Sequence, residues 1–350
     1  MEALRRFCDL SENGGKAVIY SYPFPYYSPA AQVGWLRLRA RGMTEADVAF
    51  FPHYDAPFFA LPARSVITVQ DLTHFKVPAA FPLWRRLAAG ILLRKVVTRA
   101  ARILVSSQST RRDLAERIPG SEAKTEITPF GVDTFFLAPA AKEAELDSSA
   151  RVARPYLLCV GNRKPHKNLV AAVEAIARVA KEIPDVKLVI VGKVYPGWSE
   201  VLRRAEDLGV RDRVVDLPEV TDSELRRLYG NCEALLFLSL YEGFGLPVLE
   251  AMSCDAPVIA SDRASIPEVV GDAGLLVDPN DYGAVAASVL RLFREPGLRE
   301  ELVRRGRERA ATFTWARAAR QTLNVLYETG GDRSQGRRPD GGSDVLRGRA

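Results

Sequence analysis

The sequence predicts an α/β protein built from two doubly wound domains. Short apolar, β-branched runs alternate with helical patterns along most of the chain, which is how βα units feeding parallel sheets read. The length of 350 residues suffices for two cores at roughly 100 to 200 residues each. A patternless stretch rich in Ala, Glu, Lys, Asp and Ser separates two series of such runs. In the first series strands are expected at residues 17–22, 48–53, 65–72, 102–107 and 125–132. In the second they are expected at 156–161, 187–192, 214–217, 234–239, 257–261 and 274–277. The stretch 137–154 then reads as an exposed linker between a domain at 1–136 and a domain at 155–312, with a helix at 313–328 behind it. The tail 329–350, rich in Gly, Arg, Asp and Ser, cannot bury enough apolar surface to offset its ordering entropy, so disorder is expected there.

A chain that is 47% hydrophobic and 26% charged is an ordinary globular protein, not a collagen, a coiled coil or a wholly disordered one. No apolar run approaches the roughly 20 residues a bilayer span needs. The mixed-charge start at 2–12 lacks the apolar stretch of a signal peptide, and the expected location is cytoplasmic. Cys8, Cys159, Cys232 and Cys254 show no C-x-x-C spacing, so reduced thiols are expected instead of disulfides or a zinc knuckle. Residues 81–102 carry Arg85, Arg86, Arg94, Lys95, Arg99 and Arg102 without one acidic residue, equal to the net charge of +6 of the whole chain. Trp84, Leu87, Ala88, Ile91, Leu92, Lys95 and Val96 recur there at helical spacing. Such a helix either lies on an anionic membrane surface, here the inner face of the plasma membrane, or packs with its basic face in water. No nucleic-acid partner is expected, since no recognition-helix or aromatic-interleaved basic motif is present.

Residues 234–252, ALLFLSLYEGFGLPVLEAM, carry the most chemistry. A strand leads into a loop with Glu242, Gly243, Phe244 and Gly245, and Pro247 suits the first turn of a helix. Ligands bind at the carboxyl ends of strands in open α/β sheets. Two glycines let the backbone approach a ligand closely, and a helix N-terminus favours a phosphate. Glu242 in the loop and Glu250 in the first turn of the helix can face one pocket, where carboxylates would meet sugar or ribose hydroxyls. A second strand–glycine–helix stretch, YLLCVGNRKPHKNL at 156–169, brings Arg163, Lys164 and Lys167 to another strand end, where they could neutralise a diphosphate. His166 reads as a loop or capping residue.

Together the stretches EGFGLPVLEAM at 242–252, APVIASDRASIPEVVGDAGLLVDPND at 256–281 and the 156–169 loop resemble the retaining glycosyltransferases of family 4, over about 48–327. The resemblance implies the GT-B fold, two Rossmann-like domains facing a cleft, with the helix at 313–328 crossing back to the N-terminal domain. It implies a nucleoside-diphosphate sugar as donor and a glycan or lipid-linked acceptor. By position Glu250 matches the glutamate that binds the nucleotide ribose, and Glu242 the one near the transferred sugar. Gly243, Phe244, Gly245 and Leu246 match the loop whose backbone faces the diphosphate and sugar. Lys167, with Arg163 as its companion, would stabilise the leaving diphosphate, and Val220 would lie near the base. The implied reaction is front-face substitution with retention, with no cofactor and no obligatory metal. No D-x-D spacing occurs in the chain.

Three positions depart from the family pattern. The first strand and its glycine-rich loop are missing: residues 1–7 read as the end of the following helix, and Gly14 and Gly15 precede a strand. The frequent V-H-D-L motif reads Val69, Gln70, Asp71, Leu72, replacing a histidine by a residue that cannot titrate, with His74 three positions on. Asp255 stands at a helix-end turn where the family commonly has Gly, and Asp tolerates a left-handed backbone. The expected function is hexose transfer, mannose or glucose, in bacterial surface polysaccharide synthesis. The alternative is a catalytically impaired pseudoenzyme or nucleotide-sugar-binding partner subunit, favoured by the missing strand and Gln70.

Overall fold

A computed structural model describes residues 48–137, apart from 57, 60, 79 and 80, and residues 152–331. The strand expected at 17–22, the start of the chain where a first strand and its loop were expected to be lacking, Cys8, most of the linker and most of the tail lie outside the described residues.

Every strand expected within the described residues is present, in one four-stranded and one six-stranded parallel sheet. The N-terminal unit runs β1 (Ala49–Phe51), β2 (Ser65–Val69), α1 (Thr73–Lys76), α2 (Leu83–Arg99), β3 (Arg102–Val105), α3 (Gln108–Arg117), β4 (Thr125–Ile127) and α4 (Thr134–Leu137). Its strands lie side by side in chain order. The central β2 is buried along its whole length, which its Ser-Val-Ile-Thr-Val sequence suits. Strand β4 stops at Ile127, short of the expected end, and Pro129 has no N–H to continue a ladder. Beyond it the Val132 N–H donates to the Phe313 carbonyl at 3.0 Å, tying the end of this unit to the start of the last helix.

Of the stripe read from the sequence, the basic helix α2 buries Leu92 and Val96 and leaves the rest outside the core. It buries Ala89, Leu92, Leu93, Val96 and Val97, two i,i+4 rows that meet the sheet. Leu83, Trp84, Leu87 and Ile91 are left exposed, at 59–66% of their full accessibility.

The C-terminal unit runs β5 (Tyr156–Val160), α5 (Leu169–Val179), β6 (Lys187–Val191), α6 (Trp198–Asp207), β7 (Val214–Leu217), α7 (Asp222–Asn231), β8 (Ala234–Phe237), α8 (Leu246–Ser253), β9 (Val258–Ser261), α9 (Ile266–Val270), β10 (Leu275–Val277), α10 (Tyr282–Arg294) and α11 (Leu298–Ala311). The order β7-β6-β5-β8-β9-β10 is the Rossmann order, third-second-first-fourth-fifth-sixth. Alternation along β5 fills both faces: Tyr156 and Leu158 join one core layer, Leu157 and Cys159 the other. Cys159, Cys232 and Cys254 are free and buried, and burial pushes each thiol up to about 12.

Helix α12 (Trp315–Gly330) returns to the first sheet, where Val325 packs on Val66 of β2 and Leu104 of β3. Asp255 has φ 65°, the left-handed conformation its position requires, and Arg307 pairs with its carboxylate through two nitrogens.

Candidate active site

Strand order places the switch point of the second sheet between β5 and β8, where successive connections leave to opposite sides and a crevice opens at the strand ends. A narrow recess there is lined by Val160, Gly161, Lys167, Phe237, Leu238 and Ser239. Both motif loops arrive at this point. The β5 loop makes one 3-10 turn, Pro165–Lys167, and Asn168 turns left-handed to start α5. Lys167 is thereby aimed at Glu242, Nζ to Oε1 2.6 Å, with both side chains only 16% exposed. A pair this sheltered is screened less than a surface salt bridge, so each charge fixes the other's position.

The Glu242 loop enters α8 through two glycines with different duties. Gly245 has φ 138°, closed to most side chains. Gly243 lies so close to the N-terminal unit that a Cβ would stand 2.3 Å from the Gln70 carbonyl oxygen and 2.6 Å from Asp71 Cβ. The loop therefore touches the Gln70–Asp71 segment directly. Ser106 Oγ donates to the Gly243 carbonyl at 2.9 Å, and Ser265 Oγ lies 2.9 Å from the Glu242 carbonyl and 2.8 Å from that of Phe244. The Phe244 ring is itself core, edge-on to Phe130 and Phe313, so only its backbone is available to a ligand. Leu246 is the first helical residue and half-buried.

Glu250 sits in the second turn of α8, one turn later than expected, because the helix begins at Leu246. The Tyr229 hydroxyl donates to its Oε2 at 2.9 Å, and burial holds the Glu250 carboxyl above its ordinary range. Val220, beyond β7, packs half-buried on the edge of the core.

Arg163 does not join Lys167. Its side chain is fully buried, ion-paired to Asp216 of β7 and stacked over Trp198 with the guanidinium carbon 4.2 Å from the ring centre. The Arg163 N–H donates to the Lys193 carbonyl, and from there the side chain turns beneath β6 and β7. Lys164, the next residue, instead carries its ammonium over the Tyr195 ring, 5.2 Å from the centre, where its charge still acts on His74 and His166.

The three histidines of the sequence, His53, His74 and His166, follow the ends of β1, β2 and β5 and all feel the Asp71 carboxylate. Burial holds each imidazole below its ordinary range, against the pull of Asp71. His166, read from sequence as a loop residue, is buried with Nδ1 unbonded. The signal for this grouping lay in the sequence: few histidines, each just past the carboxyl end of a parallel strand. Gln70 takes no part in it, its amide donating to the Pro52 carbonyl at 3.2 Å. No group of three His, Cys, Asp or Glu among the described residues is placed to hold a metal ion.

The family profile for group 1 glycosyl transferases matches residues 142–309, and that of glycosyltransferase family 4 matches 5–136. The O-antigen chain mannosyltransferase B of Escherichia coli is 32% identical over 279 residues, 78% of this chain and 73% of that protein. The MMP alpha-(1->4)-mannosyltransferase of Mycolicibacterium hassiacum is 33% identical over 71% of this chain, which spans 59% of that protein. In fold the chain is similar to HepE of Anabaena, solved in complex with UDP-glucose, with a TM-score of 0.72, 18% identity and coverage of 86% and 84% of the two chains. The two Rossmann-like sheets are thus those of a GT-B glycosyltransferase, and the chain belongs to the group 1 glycosyltransferases of family 4.

Proposed function

We propose that the chain transfers a hexose, mannose or glucose, from a nucleoside-diphosphate sugar to a glycan or lipid-linked acceptor in bacterial surface polysaccharide synthesis, with retention and without an obligatory metal. The observation that carries the reading is the sheltered Lys167–Glu242 pair at the switch point, beside a glycine loop that opens α8. In this reading the diphosphate lies at the N-terminus of α8 and is met by Lys167 and Lys164 in place of the Arg163 expected from sequence. Glu250 accepts a hydrogen bond from the ribose and Glu242 from hydroxyls of the sugar. The bond from the anomeric carbon to the phosphate oxygen breaks, and the acceptor oxygen bonds that carbon on the same face. The acceptor proton passes to the departing phosphate. The mannosyltransferase relatives support mannose as the first sugar to try.

The test is a panel of GDP, UDP and ADP sugars read by thermal shift and then by transfer in excess EDTA, with the product anomer assigned by NMR. A ligand at about 100 times its dissociation constant adds about 2.7 kcal/mol, enough to stand out. Transfer with an inverted anomer, or only with added metal, contradicts the mechanism. Donor binding without transfer to any acceptor points to the pseudoenzyme reading.

A lipid-linked acceptor is supported by the outer face of α2, where Leu83, Trp84, Leu87 and Ile91 are exposed next to Arg85, Arg94 and Lys95. A purely solvated basic face would not carry that apolar row, which suits an anionic lipid surface. Flotation with phosphatidylglycerol vesicles, lost in Trp84→Ser/Leu87→Ser, is the expected result; equal binding by that variant contradicts the contact. Among the described residues no helix is long and apolar enough to cross a membrane.

A further inference from the structure

Tyr241, the residue before Glu242, belongs by chain to the C-terminal unit but not by packing. The residue is 6% exposed, and its ring sits in a core whose other buried members, among the described residues, all come from residues 51–118. The hydroxyl donates to Asp113 Oδ2 of α3 at 2.8 Å and accepts the Leu72 N–H at 3.3 Å. The second Asp113 oxygen is held by Lys76 Nζ at 2.5 Å. A buried phenol with both partners in the other unit is costly to withdraw, because it would leave a buried carboxylate short of a donor. On the other side of Glu242, the Gly243 carbonyl accepts from Ser106 Oγ at 2.9 Å and from Thr110 Oγ1 at 3.3 Å. Glu242 is thus flanked on both sides by residues bonded across the cleft, while its own carbonyl is held by Ser265 of its own unit.

We infer that Tyr241 is a positioning residue: hydrogen-bonded to Asp113, it fastens the Glu242 loop to the N-terminal unit, so that the two half-sites are in register only while the phenol is seated. The inference rests on the reading of the Glu242 loop as the donor loop. A second bridge acts in the same direction, the Glu268 carboxylate accepting the Gln108 and Ser109 N–H groups at the start of α3, each at 2.7 Å. Substrate binding to the C-terminal unit alone needs none of these contacts, whereas transfer needs all of them.

The test uses the full chain with Tyr241→Phe, which keeps the ring in its core, and Asp113→Asn. Three quantities are read: donor affinity by calorimetry, turnover at saturating donor, and amide hydrogen exchange over 69–74 and 105–113. Loss of one hydrogen bond to a charged group corresponds to a fall in turnover of about tenfold to a hundredfold. Donor affinity is expected to hold, and exchange at Leu72 and its neighbours to quicken. Parental turnover and parental exchange in Tyr241→Phe would overturn the inference, as would an equal loss in donor affinity, which a merely structural residue would give. If the parent binds no nucleotide sugar the donor-loop reading fails, and the exchange measurement still decides the clasp by itself.

Discussion

The two halves of this molecule are completed in different ways. The six-stranded unit fills both faces of its sheet with its own helices, and its two core layers draw chiefly on residues 152–313, joined by Val132 and Phe136 of the first unit. The four-stranded unit borrows: Tyr241 enters its main core, and Val325 of α12 covers the face formed by Val66 and Leu104. The half that carries Lys167, Glu242 and Glu250 is the more self-contained of the two, although Phe136 packs edge-on against the Tyr229 that holds Glu250. The half that carries Asp71, His53 and His74 is finished only when the rest of the chain folds back on it. A transferase gains from this arrangement, since the cleft between the halves is assembled by the same contacts that complete the smaller half.

The largest expected effect tests the more self-contained half. Lys167→Ala removes the charge closest to Glu242, and turnover should fall by about a hundredfold to a thousandfold, the range seen when one preorganised electrostatic group is lost. Initial rates at saturating donor measure it. Arg163→Ala separates the two cations: it should act through stability, because Arg163 is buried on Asp216 and Trp198 and is not beside Lys167. A turnover loss in Arg163→Ala as large as in Lys167→Ala, without loss of melting temperature, would return Arg163 to the site. Next in size, Glu250→Gln keeps a partner for the Tyr229 hydroxyl but removes the carboxylate, and nucleotide affinity measured by calorimetry should drop about tenfold or more.

This contrast also explains what the sequence could and could not tell. All strands in the described part were legible because parallel strands buried on both faces read as apolar runs that few other structures produce. The placement of Lys167 next to Glu242 was legible for a similar reason, since loops after parallel strands converge at one edge of the sheet. The direction of Arg163 was not legible. Adjacent loop residues point different ways, and only the fold reveals that Asp216 and Trp198 wait on one side. Which side of α2 packs was left open by the sequence, because a helix that is apolar on two sides offers two amphipathic readings, and the fold buries the Ala89–Leu93–Val97 row while leaving Trp84, Leu87 and Ile91 outside. The role of Tyr241 left no trace at all, because a contact across 128 positions has no local signature.

The borrowed half is tested by Val325→Ala. Removing two buried methyl groups at roughly 0.8 kcal/mol each should lower stability by about 1–2 kcal/mol. Hydrogen exchange should place the loss in β2 and β3 and leave β5 and β8 protected. Uniform loss of protection in both sheets would show that the halves unfold as one cooperative unit, and the contrast between them would then concern construction alone.

The smallest effect is a pH dependence that belongs to the cleft. His53, His74 and His166 have pKa values held below 6.5 in the folded chain, chiefly by burial. A lowered folded pKa means that the unfolded chain takes up the proton first. The stability these imidazoles contribute is complete above about pH 7, and it is lost as pH falls through 6.5 toward their folded values. Glu250, raised by burial, acts in the opposite sense, gaining stability as its carboxyl protonates, but in the lower carboxylate range. Melting temperature should therefore fall between pH 7.5 and 5.5. The fall should be smaller in His166→Asn, which removes the most buried of the three and cannot titrate. An unchanged slope in that variant would place the titrating groups elsewhere on the chain. A slope that flattens in His166→Asn but steepens in Asp71→Asn, whose carboxylate holds the imidazole pKa up against burial, would tie the effect to the field of Asp71 on His166.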